Sequence, residues 1–103
     1  MGSVFYSKRG EKDMAELLRY LIKNALDAQE YAIQVAKIIK ELEDLAEKPM
    51  LGKQITGIDA DYRYWLIFNN RYRVYFERLS STGIYVGLIQ RAVALEPKLG
   101  TIK

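Results

Sequence analysis

The chain predicts an α+β fold in which an N-terminal α-helical hairpin packs on a small antiparallel β-sheet. Two patterns and one size argument carry this. Residues 62–91, YRYWLIFNNRYRVYFERLSSTGIYVGLIQR, alternate with the period of two expected of strands and are interrupted by two turn clusters. Upstream, apolar residues recur at i, i+3, i+4 and i+7, first through Met14, Leu17, Leu18, Leu21, Ile22 and Ala25. A chain of 103 residues that is half apolar and 28% charged suits one soluble domain, residues 1–103, with one core.

In chain order, Val4 to Ser7 reads as a short strand joining the edge of the C-terminal sheet, and Lys8-Arg9-Gly10 as a turn into the first helix. Asn24 to Leu26 is a break. Asp27-Ala28-Gln29-Glu30 has the form of an N-cap with a carboxylate three residues on. The second helix then carries Ala28, Tyr31, Ala32, Val35, Ile39, Leu42, Leu45 and Ala46 on its apolar stripe, until Lys48 before Pro49 ends it. Tyr20 and Tyr31 lie beside the stripes as packing residues. Two helices joined so closely form an antiparallel pair. Laying that pair on the apolar face of the sheet gives two layers.

Pro49 to Asp61 is a polar connection, Asn69-Asn70 a tight hairpin turn and Ser80 to Gly83 a longer one. Beyond Arg91, Pro97 and Gly100 favour a frayed tail. Within the sheet, Arg63, Trp65 and Ile67 share one side of the first strand, and Arg73, Tyr75 and Glu77 one side of the second. Tyr85, Gly87, Ile89 and Arg91 share one side of the third. Matching the apolar rows to one another gathers Arg63, Arg73 and Arg91 with Trp65, Tyr75 and Tyr85 on the solvent face. That face is the expected site, with Trp65 as an exposed anchor.

Composition removes several chemistries. With no cysteine and no histidine, disulfides, thiolate or imidazole metal sites and Ser-His or Cys-His nucleophile pairs are excluded. The net charge of +3 is uneven: residues 11–48 hold nine acidic against six basic side chains, while residues 62–91 hold five arginines against Glu77. Arginine's fork suits phosphate or carboxylate and stacks on aromatic rings. Gly52 to Gly57 has P-loop spacing, but Ile58-Asp59 follow where Lys and Ser or Thr belong, so this is a loop. The acidic group Glu41, Glu43, Asp44 and Glu47 suits a solvated helix face, and Asp59 and Asp61 are placed to pair with Arg63. No apolar run reaches the roughly 20 residues of a spanning helix. Charged residues from Lys8 onward preclude a signal peptide, and the expected compartment is cytoplasmic.

The order strand, helical hairpin, loop EKPMLGKQITGI and then YRYWLIFNNRYRVYFERL resembles the RelE/ParE superfamily of toxins from type II toxin–antitoxin modules. Arg71-Tyr72-Arg73-Val74-Tyr75-Phe76 matches that family's R-Y-R-V-x-Y/F strand, and Gly83 to Arg91 has the length of its last strand. The resemblance implies a growth-arresting protein, needing no cofactor, neutralised by a cognate antitoxin in a hetero-oligomer. It implies an acidic antitoxin segment that folds on binding, meeting Arg63, Arg73 or Arg91 and covering Trp65 and the hairpin. In RelE-like members, which cleave mRNA on the ribosome without a metal, Arg63, Arg73 and Arg91 would surround the scissile phosphate, with Tyr75 or Tyr85 supplying a phenol. ParE-like members instead bind and inhibit DNA gyrase. Here Trp65 stands where the nucleases carry a second lysine, Gln90-Arg91-Ala92-Val93 replaces a more basic cluster, and no tyrosine follows Arg91. These departures favour the ParE-like mode. The alternatives are the nuclease and a non-enzymatic binding module or degenerate toxin.

Overall fold

The computed structural model describes residues 2–54 and 62–93. Its order is β1 (Ser3–Tyr6), α1 (Lys8–Asn24), α2 (Ala28–Glu47), β2 (Lys53–Gln54), β3 (Tyr62–Ile67), β4 (Tyr72–Arg78) and β5 (Gly83–Arg91). The strands form one sheet ordered β1-β5-β4-β3-β2, with the two helices on one side, α1 mainly against β5 and α2 along β1. The α+β architecture is the expected one. The sheet is mixed rather than antiparallel, because β1 returns parallel to β5 through the helical hairpin.

Lys8 to Gly10 is the first turn of α1, not a loop before it. Ser7 caps that turn: its Oγ accepts from the Gly10 N–H at 2.9 Å and donates to the Gly87 carbonyl at 2.9 Å. Gly10 is required for this seating, since a β-carbon there would lie 2.5 Å from the Val86 carbonyl oxygen. Asp27 caps α2 through the Glu30 N–H at 2.8 Å, and Glu30 reaches back to the Leu26 N–H at 3.2 Å, a near relation of the expected capping box. The inward stripe of α2 runs through Ile38, Leu42, Leu45 and Ala46; Ile39, assigned to it from spacing, is exposed, as are Ala28 and Ala32. In α1, Leu17 and Leu21 are buried, and Ile22 faces outward.

The register across the β3–β4 hairpin sets the two faces. Arg63 lies opposite Phe76, Trp65 opposite Val74, Ile67 opposite Tyr72, and Leu66 opposite Arg73. Directly paired residues share a face, so Arg63, Trp65 and Ile67 join Tyr72, Val74 and Phe76 on the helix side. On β5, Val86 pairs with Phe76 and Leu88 with Tyr75, leaving Gly87 as an extra residue in a bulge. The bulge inverts the alternation: Ile84, Val86, Ile89 and Arg91 take the helix side, while Leu88 turns away from it. The main core is built there, from Leu17, Leu21, Ile38, Leu42, Leu45, Val74, Phe76, Ile84, Val86 and Ile89, with Trp65 and Tyr72 half-buried at its margin.

The β3–β4 connection spans four residues, Phe68 to Arg71, rather than Asn69-Asn70 alone. Phe68, Asn69 and Asn70 all have positive φ, 53°, 56° and 63°. Asparagine tolerates this; phenylalanine does so only under constraint. The Phe68 ring is buried in the main core, and its N–H is accepted by both carboxylate oxygens of Glu41, at 3.1 and 3.2 Å. Glu41 thus anchors a turn instead of facing solvent. The loop residues Gly57, Asp59 and Asp61, and the tail from residue 94 onward, lie outside the described residues.

Candidate functional site

The arginines expected on one surface are divided between two. Arg73 projects from the face without helices. Its guanidinium carbon lies 5.9 Å from the centre of the Tyr75 ring, and Tyr75 in turn lies 6.0 Å from Tyr64, with the rings tilted by 39°. Tyr62, Tyr75 and Leu88 form a second apolar cluster there, with Tyr64 against it. Tyr75 is only 1% exposed, and its phenol oxygen accepts from Gln90 Nε2 at 3.3 Å. Tyr75, expected as a phenol open to solvent, is instead packed within this cluster. Tyr85, half-buried, sits on the same face near Tyr62, whose phenol is pushed above its ordinary range by burial, with Glu77 and Tyr85 adding to the effect.

Arg63 and Arg91 share the opposite, helix-bearing face but stand at its two ends. Arg63 pairs with Phe76 and Arg91 with Tyr72, four residues apart along β4 and on its two flanking strands. Standard strand spacings separate their α-carbons by about 16 Å. The expected cluster of Arg63, Arg73 and Arg91 on one face is thus overturned by the register. Trp65 is corrected as well. It packs half-buried against the main core and also lines a small recess of about 170 Å³ with Lys53, Tyr64, Leu66 and Asn70.

Arg78, which the sequence pattern did not single out as a site residue, is held by four backbone carbonyls. Arg78 donates from Nη1 to the carbonyls of Ala46 at 2.9 Å and Ser80 at 3.1 Å. From Nη2 it donates to Leu45 at 2.8 Å and Lys48 at 3.2 Å. It closes the C-terminal end of α2, where backbone carbonyls are orphaned and the helix dipole is negative. Partial burial, and then the nearby Arg63, push its guanidinium below the ordinary arginine range. Gly52, at φ +108°, lets the loop after α2 lie on this corner; a β-carbon there would sit 2.7 Å from Phe76 Cζ and 3.1 Å from Arg63 Cβ.

Asp13, a second residue missed from sequence, is buried on α1. Its Oδ2 accepts from the Ile89 N–H at 3.0 Å and its Oδ1 from Arg9 Nε at 3.0 Å. It supplies the acceptor that β1 no longer provides once β1 ends at Tyr6. An aspartate at an inward helical position was the available signal. Among the described residues no group of histidine, cysteine and carboxylate side chains could hold a metal ion, and no helix is long and apolar enough to cross a membrane.

The outer surface of the helical hairpin carries apolar side chains that the fold does not use. Leu26 is 91% exposed, and Ile22, Ile33 and Ile39 are each about half exposed or more.

Residues 4–92 match the family model for the ParE toxin of the type II toxin–antitoxin system parDE. No curated protein matches the chain.

Proposed function

The chain belongs to the ParE toxin family of type II toxin–antitoxin systems, and on that premise we propose that it arrests growth by binding DNA gyrase rather than by cutting mRNA. The observation that supports this is the separation of Arg63, Arg73 and Arg91. Metal-free RNA cleavage needs basic groups converging on one phosphate, because charge-assisted contacts act at about 2.7–2.9 Å and must be preorganised. Here Arg73 is divided from Arg63 and Arg91 by the sheet itself, and Arg63 and Arg91 by most of its length. Of the two phenols offered by the resemblance, Tyr75 is buried and Tyr85 half-buried. A binding toxin needs none of this convergence.

The membership implies a cognate antitoxin. The exposed Leu26, Ile22, Ile33 and Ile39 offer an apolar surface for its binding segment.

Tightly induced expression with simultaneous pulse-labelling of new DNA and new protein tests the proposal. DNA synthesis should fall first while translation continues. An early collapse of protein synthesis would instead favour a ribosome-dependent nuclease. Normal growth with folded protein present would leave a module without toxin activity.

A further inference from the structure

Between the C-terminal part of α1 and the outer end of the sheet lies a recess of about 380 Å³, bordered by Tyr20, Asn70, Arg71, Tyr72 and Arg91. Its size falls within the range of small-molecule sites, about 300–1,000 Å³. Register places two of these groups together: Tyr72 and Arg91 are direct partners in the β4–β5 ladder, so their side chains are neighbours on one face. The Ala92 N–H donates to the Arg71 carbonyl at 2.8 Å, tying the end of β5 to the turn that carries Arg71. Arg71 lies with its guanidinium carbon 5.7 Å from the centre of the Phe68 ring, which is itself anchored by Glu41.

The walls thus present two guanidinium groups, two phenols and an amide, and among the described residues no carboxylate lines the recess. Among the described residues, neither Arg71 nor Arg91 is within ion-pair distance of an acidic group. Arg71 also borders a neighbouring groove containing Asp27 and Glu30, without bonding to either. Burial raises the Tyr72 phenol, while Arg91 pulls it down, Tyr20 pushes it up and Arg71 pulls it down. The partial negative charge at the end of α1 is offset locally by Lys23 and by the Asn24 side-chain amide, which donates to the Tyr20 carbonyl at 2.8 Å.

We propose that this recess is a binding site for a phosphate monoester, free or carried on a nucleotide, gripped by Arg71 and Arg91 with hydrogen bonds from Tyr20, Tyr72 and Asn70. Paired guanidinium forks match a phosphate better than a single carboxylate. The exposed Tyr20 ring at the rim offers a stacking surface to an attached base. The site shares Arg91 with the trio weighed above, and its test reads phosphate binding whether or not gyrase is the target.

The test is titration of the full chain with inorganic phosphate and, separately, adenosine monophosphate, followed by backbone amide NMR. Saturable shifts should centre on Tyr20, Arg71, Tyr72 and Arg91. Affinity should fall about tenfold or more in Arg71→Gln and in Arg91→Gln. It should be unchanged in Arg19→Gln, an exposed arginine on α1 outside the recess. Arg71 and Arg91 are exposed, so both variants should fold, which the same spectra report. Tighter binding of the nucleotide supports a nucleotide source, and equal binding supports the phosphate group alone. Absence of saturation, or equal weakening by Arg19→Gln, overturns the proposal.

Discussion

Arg73 lies directly across the hairpin from Leu66, and therefore on the opposite face of the sheet from Arg63 and Trp65. This one pairing decides whether the basic residues of the sheet can act as a set. Arg73 rests on the Tyr75 ring, within a tyrosine-rich face that has no helix over it among the described residues.

Neutralising Arg73 should accordingly leave toxicity largely intact. In a nuclease, loss of one transition-state donor costs about 3–4 kcal/mol, a hundredfold or more in rate. Arg73→Gln should instead change growth arrest by less than about tenfold, measured as the inducer level needed to stop colony formation at matched protein abundance.

The outer hairpin surface should govern antitoxin recognition. Replacing Leu26 and Ile33 together by serine removes exposed side chains that support nothing in the core. Thermal stability should move within about 0.5 kcal/mol per site. Antitoxin affinity should weaken by at least tenfold, read by calorimetry with the purified pair.

Asp13→Ala should destabilise the fold by about 1–3 kcal/mol, because the Ile89 N–H is left buried without an acceptor. For a domain of this size that corresponds to a drop of several degrees in Tm. Asp13→Asn keeps an acceptor oxygen and should lose less. Urea unfolding of the two variants checks the order.

The helix-closing role of Arg78 predicts a similar loss. Arg78→Met keeps the aliphatic stem and releases the Leu45, Ala46 and Lys48 carbonyls, and should cost about 2 kcal/mol. Hydrogen exchange should rise selectively in the last turn of α2.

Stability should also fall at alkaline pH. Tyr6, Tyr62 and Tyr72 all have phenols raised above the ordinary value of about 10, each chiefly by burial. The folded chain therefore keeps these protons to higher pH than the unfolded chain. Their contribution is complete below about pH 10 and is lost as pH rises through the folded values. Denaturant midpoints measured across that window should decline, and less so when Tyr62 is replaced by phenylalanine.

The sequence carried the order of the two helices and the four longer strands, the end of α1, both ends of α2 to within a residue, and the Asp27 cap; it started α1 three residues late and read β2 as part of a loop. Within β3 and β4 it also carried the alternation. It misled at the pairing between them, because both rows of β3 are apolar: Tyr62, Tyr64 and Leu66 on one side, Trp65 and Ile67 on the other. Apolarity alone cannot choose between such rows. Turn geometry can, since pairing across Asn69-Asn70 already sets Leu66 against Arg73. The Gly87 bulge was not legible in alternation, which simply continues through it, and it moved Leu88 and Ile89 to the faces opposite those expected. Asp13, Glu41 and Arg78 resembled ordinary surface charges because their partners are backbone groups distant in sequence.

The most direct measurement is supercoiling by purified DNA gyrase with increasing amounts of this chain, alongside a ribosome-programmed mRNA cleavage assay on the same preparation. The account predicts dose-dependent loss of supercoiling, reversed by the antitoxin, with the mRNA intact. Unimpaired supercoiling together with cut mRNA would contradict it.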